Sequence, residues 1–152
     1  MREIHFRGIK VHDDKWVCGD LIHLRDGKVG INWFFAGELD IKEVIKETVG
    51  QHTGLRDKYG REIYEGDILK SVLPEKKAGS YVMFYAKTVF SVVYSVGWRY
   101  RLKPIRIEYE GKQVTDEKIR EIPIKFRCTR DEVVGNIHQN KEFFENGKND
   151  IK

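Results

Sequence analysis

The amino-acid sequence predicts an all-β fold, a small barrel or sandwich with at most short helical turns. Runs of β-branched and aromatic residues recur along the chain, and such residues favour strands. Turn signals separate the runs at intervals of roughly eight to twelve residues, which is typical of all-β barrels and sandwiches. No segment shows a long helical periodicity, so helices enter the predicted architecture only as single turns.

Length and composition bound the domain count and the class of protein. With 152 residues, 40% of them hydrophobic and 34% charged, the chain can build one compact domain over 1–152, divided at most into two β subdomains at about 1–50 and 51–145. Cys18 and Cys128 stand alone in their segments, which argues against a disulfide framework and a four-cysteine zinc site. No apolar run approaches the ~18 residues of a membrane span, and the start lacks a signal-peptide core, so we expect a cytoplasmic protein without membrane contact.

Two hairpins are predicted near the start of the chain. The first turns at 12–15, where paired aspartates favour a turn through side-chain bonds to the backbone. The second turns at Arg25-Asp26-Gly27-Lys28, because Asp-Gly between apolar runs is a strong hairpin signal. The flanking strands are predicted at 4–7, 16–18, 21–24 and 29–34.

Residues 40–49 carry conflicting signals. Asp40 followed by Glu43 resembles a helix cap, and the apolar positions follow helical spacing. The high content of β-branched residues weakens a short isolated helix. We predict a strand that leads into the next segment.

The segment 51–70 is dense in turn signals. Gly54, Gly60 and Gly66 punctuate it, and Asp57 to Gly60 fits a type I turn closed by a glycine in the left-handed region. Four carboxylates crowd into this segment, and they are Asp57, Glu62, Glu65 and Asp67. They can serve acid–base or metal chemistry, or each can have a structural role.

The structural reading of these carboxylates is favoured. Asp57 belongs at the first turn position, and Asp67 can accept backbone N–H groups around the bend at Gly66. Glu62 and Glu65 are expected near the basic side chains of the same segment, which are Arg56, Lys58 and Arg61.

The second half of the chain reads mainly as strands. They are predicted at 61–64, 67–73, 81–85, 88–94, 98–102, 105–110, 124–128 and 133–138. A short helical turn is predicted at 115–121, before Pro123. Asn140 is expected to cap a last turn that carries Phe143 and Phe144, and 146–150 is expected to fray.

Two stretches carry a resemblance to a known family. They are Thr53-Gly54-Leu55, Asp57-Lys58, Gly60 and Glu62-Ile63-Tyr64-Glu65-Gly66-Asp67-Ile68 in the first, and Val133-Val134-Gly135-Asn136-Ile137 in the second. They resemble the signature stretches of the YopX family, small proteins encoded by bacteriophages and prophages. The resemblance implies a mainly β chain with an SH3-like barrel portion, expected over 51–145, and no established activity. It also implies structural roles for Gly54, Asp57, Gly60, Tyr64, Gly66, Asp67, Gly135 and Asn136.

Motifs that carry catalysis are absent from the sequence. The Gly-Lys pairs lack the spaced glycine and the Ser or Thr of a P-loop, and no serine sits on a nucleophile elbow. The five histidines never occur at the spacing that places two ligands on one helix face, although His5 and His12 can meet across a hairpin. We therefore predict a non-enzymatic protein without a cofactor or a metal site.

A basic row is the candidate binding feature. Residues 76–107 contain seven basic residues and no acidic one, within a chain of net charge +4. The strand period places Trp98, Tyr100 and Leu102 on one face. The candidate contact row on the other face consists of Arg99, Arg101 and Lys103, and Arg106 is a further candidate binding residue.

Three readings of the basic row stay open. It can contact the phosphate backbone of a nucleic acid, meet an acidic protein, or protect an edge strand from pairing with another chain. We therefore predict a protein-interaction or assembly module. The YopX resemblance implies that it acts in the cytoplasm of a bacterial cell, where its partner is a host protein, a phage protein or a second copy of the chain. The alternative is weak, salt-sensitive binding of nucleic acid.

Overall fold

The computed structural model describes residues 4–35, 38–76, 83–96, 99–109, 112–113, 122–123 and 130–145. Within these ranges the regular structure is almost entirely β, arranged in two antiparallel sheets of six strands each. One 3-10 turn and one four-residue helix complete it. The predicted all-β fold class is confirmed.

The first sheet contains the strands of the N-terminal part. They are β1 (Phe6–Ile9), β2 (Trp16–His23), β3 (Val29–Phe35), β4 (Glu38–Val44), β5 (Gly50–Arg56) and β6 (Glu62–Tyr64). Their order in the sheet is β4-β3-β2-β1-β5-β6. A 3-10 turn, Lys46–Thr48, stands between β4 and β5.

The second sheet contains the remaining strands. They are β7 (Asp67–Lys76), β8 (Met83–Val96), β9 (Arg99–Tyr109), β10 (Lys112–Gln113), β11 (Ile122–Pro123) and β12 (Glu132–Asn136). Their order is β10-β9-β8-β7-β12, with β11 paired to β9. The helix α1, Glu142–Glu145, follows β12.

Both predicted N-terminal hairpins are confirmed. β1 pairs with β2 from Phe6 opposite Gly19 to Ile9 opposite Trp16. β2 then pairs with β3 from Asp20 opposite Asn32 onward. At the second turn Gly27 has φ of 78°, the left-handed conformation that the Asp-Gly signal requires.

A small apolar core lies under the first sheet. It consists of the buried Val17, Val29, Ile31 and Val44, with Phe6, Leu21 and Val49 packed against them. Strand β4 reaches Val44, so the strand predicted within 40–49 is confirmed up to that residue. The 3-10 turn follows, and its buried Thr48 hydroxyl accepts the N–H of Ile9 at 2.9 Å and donates to the carbonyl of Ile45 at 2.6 Å.

The predicted division of the second sheet into short strands is wrong. The segments 81–85 and 88–94 were expected as separate strands, but β8 runs unbroken through them from Met83. Similarly, 98–102 and 105–110 merge into β9. Residues 86–87 contain no turn-forming type, and Pro104 is accommodated by a register shift opposite Phe90 and Ser91. Neither position therefore ends a strand.

The end of the described chain differs from expectation in one detail. The helix α1 carries Phe143, whose ring centroid lies 5.2 Å from that of Phe90. Asn140 was predicted to cap this turn with its side chain, but its Oδ1 accepts the N–H of Asn136 at 3.1 Å instead. The side chain thus closes the loop after β12. The predictions for 115–121, 124–128 and 146–150 lie outside the described residues.

The chain divides into two compact units. The first comprises Met1–Leu55 and Glu62–Glu65, and the second comprises Arg56–Arg61 and Gly66–Lys152. The tip of the β5–β6 hairpin, Arg56–Arg61, therefore groups with the second unit, while the remainder of β5 and all of β6 group with the first. The single domain with subdomains near 1–50 and 51–145 stays a prediction.

Candidate functional site

The carboxylate of Asp57 is a structural centre of the second unit. Its side chain is fully buried, and its Oδ1 accepts the N–H groups of Tyr59 and Arg61 at 2.8 and 2.9 Å. Its Oδ2 accepts the N–H of Val133 at 3.1 Å and the Arg61 Nε–H at 2.8 Å. The carboxylate thus joins the predicted turn to β12, 76 residues away.

These contacts set the charge state of Asp57. Burial by itself raises the pKa of this carboxyl, but the N–H donors of Val133 and Arg61 outweigh burial and hold the pKa below its ordinary value. The predicted type I turn is also present, with the Gly60 N–H bonded to the Asp57 carbonyl at 2.9 Å. The Asp57 carboxylate therefore holds the turn and ties it to β12.

The other signature residues are glycines and buried polar side chains. Gly60 and Gly66 have φ of 81° at their turn positions, and Gly54 has φ of 78° inside strand β5. A Cβ on Gly135 would overlap the Asn140 side chain. The three remaining polar signature side chains, Tyr64, Asp67 and Asn136, are buried.

Glu62 and Glu65 have partners on neighbouring strands. The Glu62 carboxylate accepts the Tyr64 hydroxyl and contacts His5, and its nearness to the basic residues of the segment stays a prediction. The Glu65 carboxylate accepts the Gln51 N–H at 3.1 Å. Arg61 pairs with Asp57 across the turn that joins β5 to β6, at 2.7 Å.

The basic row is described only in part. Leu102 is buried and Lys103 is exposed, as the strand period predicts, and the half-buried Arg101 lies opposite Tyr94. The backbones of Arg99 and Arg106 lie opposite Val96 and Phe90, while their side chains are outside the described part. Nucleic-acid binding by this row stays a prediction.

Apolar side chains crowd the exposed side of strand β4. Leu39 is 71% exposed and Ile41 is 50% exposed. They point to the same face because they are two residues apart, opposite to the buried Val44. Val11 and Ile45, also exposed, flank the end of β4 through the bonds Val11 N–H to Glu43 C=O and Ile45 N–H to Ile9 C=O. We call Val11, Leu39, Ile41 and Ile45 the apolar face.

Sequence reasoning did not find the apolar face. The spacing of Ile41, Val44 and Ile45 is that of an apolar stripe along one side of a helix. In the strand, Ile41 and Val44 instead point to opposite sides. The sequence does contain one signal for this face. Strand β4 has apolar residues on both of its sides, whereas a strand with one side exposed to solvent needs them only on the buried side.

An array of stacked side chains crosses the first sheet on the side opposite its core. The Arg7 guanidinium lies 4.4 Å from the Trp16 ring centroid and 4.8 Å from that of Tyr64. The Tyr64 ring lies 5.1 Å from the His52 ring, which stacks on His5 at 4.3 Å. These five residues converge because β5 pairs with β1 and is followed by β6.

Glu62 completes one end of this array. Its Oε2 accepts the Tyr64 hydroxyl at 2.7 Å and lies 3.3 Å from the His5 Nε2. The Tyr64 hydrogen bond lowers the pKa of the Glu62 carboxyl, and the His5 contact adds to this against the opposing effect of burial. Burial and the Glu62 carboxylate together raise the pKa of the Tyr64 hydroxyl. Glu62 is therefore an ionised acceptor beside two imidazoles.

Comparison with protein families decides where the chain belongs. The family model described as YopX protein matches residues 5–145. The chain belongs to the YopX family. The matched range includes both signature stretches, and with them Asp57 and the three glycines of the first stretch.

Among solved structures, this YopX chain is similar to protein EF1440 from Enterococcus faecalis. The two share 24% sequence identity and a TM-score of 0.45, and the match covers 95% of this chain and 100% of that one. No curated protein matches its sequence. In the part of the chain that the structure describes, no helix has the length and apolar character of a membrane span.

Proposed function

We propose that this YopX protein is a non-enzymatic interaction module, encoded by a phage or prophage and acting in the bacterial cytoplasm, whose apolar face docks a second copy of the chain. Family membership supports the origin and the cellular setting. The observation that carries the interaction is the exposure of Leu39 and Ile41, at 71% and 50%, side by side on one strand. Neighbouring exposed apolar residues mark binding surfaces more often than isolated ones do.

The charges around the apolar face favour a second copy. Glu43, two residues from Ile41 on the same side of β4, pairs with Lys28 at 3.2 Å, and Lys28 also lies 3.6 Å from Asp26. Charges of both signs therefore rim the face and balance one another. A twofold arrangement can bring a basic group of one copy against an acidic group of the other, whereas a partner of a single charge sign gains no net attraction.

The position of β4 in the sheet suits such docking. It is the terminal strand of the first sheet, and among the described residues its outer side is bridged only at Val44, by Lys10. An exposed terminal strand with apolar side chains is a common site of association between chains. The face is therefore both apolar and sterically accessible at Leu39 and Ile41.

Light scattering with matched variants tests the proposed self-association. Wild-type protein at micromolar concentration is expected to show about twice the 17.9 kDa chain mass. The double substitution Leu39→Lys with Ile41→Thr is expected to give a monomer, because it removes the apolar contact and adds like charges. Val72→Lys is the control, since Val72 is also an exposed apolar strand residue, at 53%. A monomeric wild type, or a double variant that stays dimeric, contradicts the proposal.

We also propose that the SH3-like portion lies in the first unit and not over 51–145. Strands β1 to β4 form a meander, the 3-10 turn follows, and β5 returns to pair with β1. This order is that of SH3-like barrels, and the Lys10–Val44 bridge joins the end of the meander to its start. A fragment that ends after β6 and folds cooperatively supports this assignment, and an unfolded one argues against it.

Binding of a phosphate backbone is the second candidate function. The alternation of the buried Leu102 with the exposed Lys103 supports it, because a basic side chain on β9 then faces solvent. Replacing both Arg101 and Lys103 by Glu is expected to abolish retention on DNA or RNA at low salt. Unchanged retention of the variant removes this candidate.

A further inference from the structure

We propose that His5, His52 and Glu62 form a binding site for Zn²⁺. The site is independent of the self-association proposed above, since none of its ligands belongs to the apolar face. In the described part of the chain these three side chains are the one group of His, Cys, Asp and Glu whose potential ligand atoms lie close enough to share an ion. All of these atoms lie within 4.8 Å of one another.

Three adjacent strand segments hold the three ligands. The His52 N–H donates to the His5 carbonyl at 2.9 Å, which fixes β5 beside the segment that enters β1. The Thr53 hydroxyl donates to the Ile63 carbonyl at 2.8 Å, which ties β6 to β5 next to Glu62. The ligand backbones are therefore set by hydrogen bonds within one unit, and the metal needs to order only side chains.

The distances already approach those of a metal centre. Tetrahedral Zn²⁺ with ligand bonds of about 2.0 to 2.1 Å separates neighbouring ligand atoms by about 3.3 Å. The His5 Nε2 lies 3.3 Å from the Glu62 Oε2. The His5 and His52 rings stack with an interplanar angle of 22°, so binding requires one imidazole to turn until its nitrogen points to the shared ion.

The donor set selects the kind of metal. Two imidazoles and one carboxylate suit Zn²⁺ and leave a fourth position for water, whereas Mg²⁺ and Ca²⁺ prefer oxygen ligands throughout. His52 is buried while His5 and Glu62 are partly exposed, which leaves the site accessible from one side.

Tyr64 acts as a positioning residue for the site. Its hydroxyl donates to the Glu62 Oε2 at 2.7 Å, and a carboxylate ligand oriented by such a hydrogen bond binds its metal more tightly. Removing the hydroxyl with Tyr64→Phe leaves the three ligands in place. We therefore expect Tyr64→Phe to weaken Zn²⁺ binding by about tenfold, at the lower end of the effect of outer-shell partners.

Titration calorimetry of the full chain with ZnCl₂ at neutral pH tests the site. One Zn²⁺ per chain is expected for the wild type, and MgCl₂ is expected to give no binding heat. Glu62→Gln and His5→Gln are each expected to weaken Zn²⁺ binding by more than about tenfold. His23→Gln, which changes an exposed histidine outside the cluster, is the matched control and is expected to bind as the wild type does.

A spectroscopic readout separates coordination from simple stability effects. Co²⁺ in place of Zn²⁺ is expected to give the intense visible absorption of a four-coordinate site in the wild type and in His23→Gln, and to lose it in His5→Gln. Thermal melts without metal establish that each variant is folded. Absence of Zn²⁺ binding by the wild type overturns the proposal, as does equal binding by wild type and Glu62→Gln.

Discussion

Replacing Asp57 by asparagine is expected to lower the free energy of unfolding by about 3 kcal/mol. The buried carboxylate accepts backbone N–H groups from the turn and from Val133, and it pairs with Arg61. Asparagine directs an N–H₂ group at one set of these donors and leaves them unsatisfied. Equilibrium unfolding in urea, monitored by circular dichroism, measures the difference.

The matched control for this substitution is Asp26→Asn. Asp26 also occupies a hairpin turn and accepts a backbone N–H, from Lys28 at 3.2 Å, but its side chain is 57% exposed. We expect a loss of less than about 1 kcal/mol there, because water replaces the lost interaction. Similar losses of stability for Asp57→Asn and Asp26→Asn would show that the hydrogen bond between Asp57 and Val133 of β12 contributes no measurable stability.

The pH dependence of stability gives a second check on Asp57. Its folded-state pKa is lower than the ordinary value of 3.8. The resulting stabilisation is therefore fully present above pH 3.8 and is lost as the pH falls through the lower, folded-state pKa. We expect the stability of the wild type to fall more steeply in this acidic range than that of Asp57→Asn.

The second large effect is expected for Gly19→Ala, with a loss of about 3 kcal/mol. Gly19 ends the pairing of β2 with β1, and the next residue begins its pairing with β3. A Cβ at Gly19 would overlap the carbonyl oxygen of Asn32, and backbone atoms in a paired strand cannot move aside cheaply. Thermal or urea unfolding of the variant measures the loss.

Gly60→Ala separates this steric effect from backbone strain. Gly60 has φ of 81°, but no neighbouring atom lies within 4 Å of the position that its Cβ would take. Only the strain of the left-handed conformation remains, at about 1 kcal/mol. If Gly60→Ala lowers the stability as much as Gly19→Ala does, then close packing of Gly19 against the Asn32 carbonyl does not cause the loss at Gly19.

Local signals predicted much of the fold. The Asp-Gly pair at 26–27 and the aspartates near 13 determine turns through the conformations of a few adjacent residues, so both N-terminal hairpins follow from sequence. The turn from Asp57 to Gly60 is predictable for the same reason. The uninterrupted β8 was missed because strand length depends on pairing with β7 and β9, which local sequence does not encode.

The candidate sites required information from distant parts of the chain. His5 and His52 meet only because β1 and β5 are neighbours in the sheet, and neither histidine has a metal-binding spacing in the sequence. The apolar face depends on β4 being a terminal strand, since the same residues in a central strand would be covered. Pairing between distant strands thus creates both features.

Cross-linking through residue 41 tests the central claim most directly, since Ile41 lies between the other members of the apolar face. The variant carries Ile41→Cys as its single thiol, with Cys18→Ser and Cys128→Ser, and is treated with a short bis-maleimide. Rapid formation of a covalent dimer at micromolar concentration is predicted, and adding Leu39→Lys is predicted to prevent it. Cross-linking no faster than that of Val72→Cys in the same background would contradict self-association through this face.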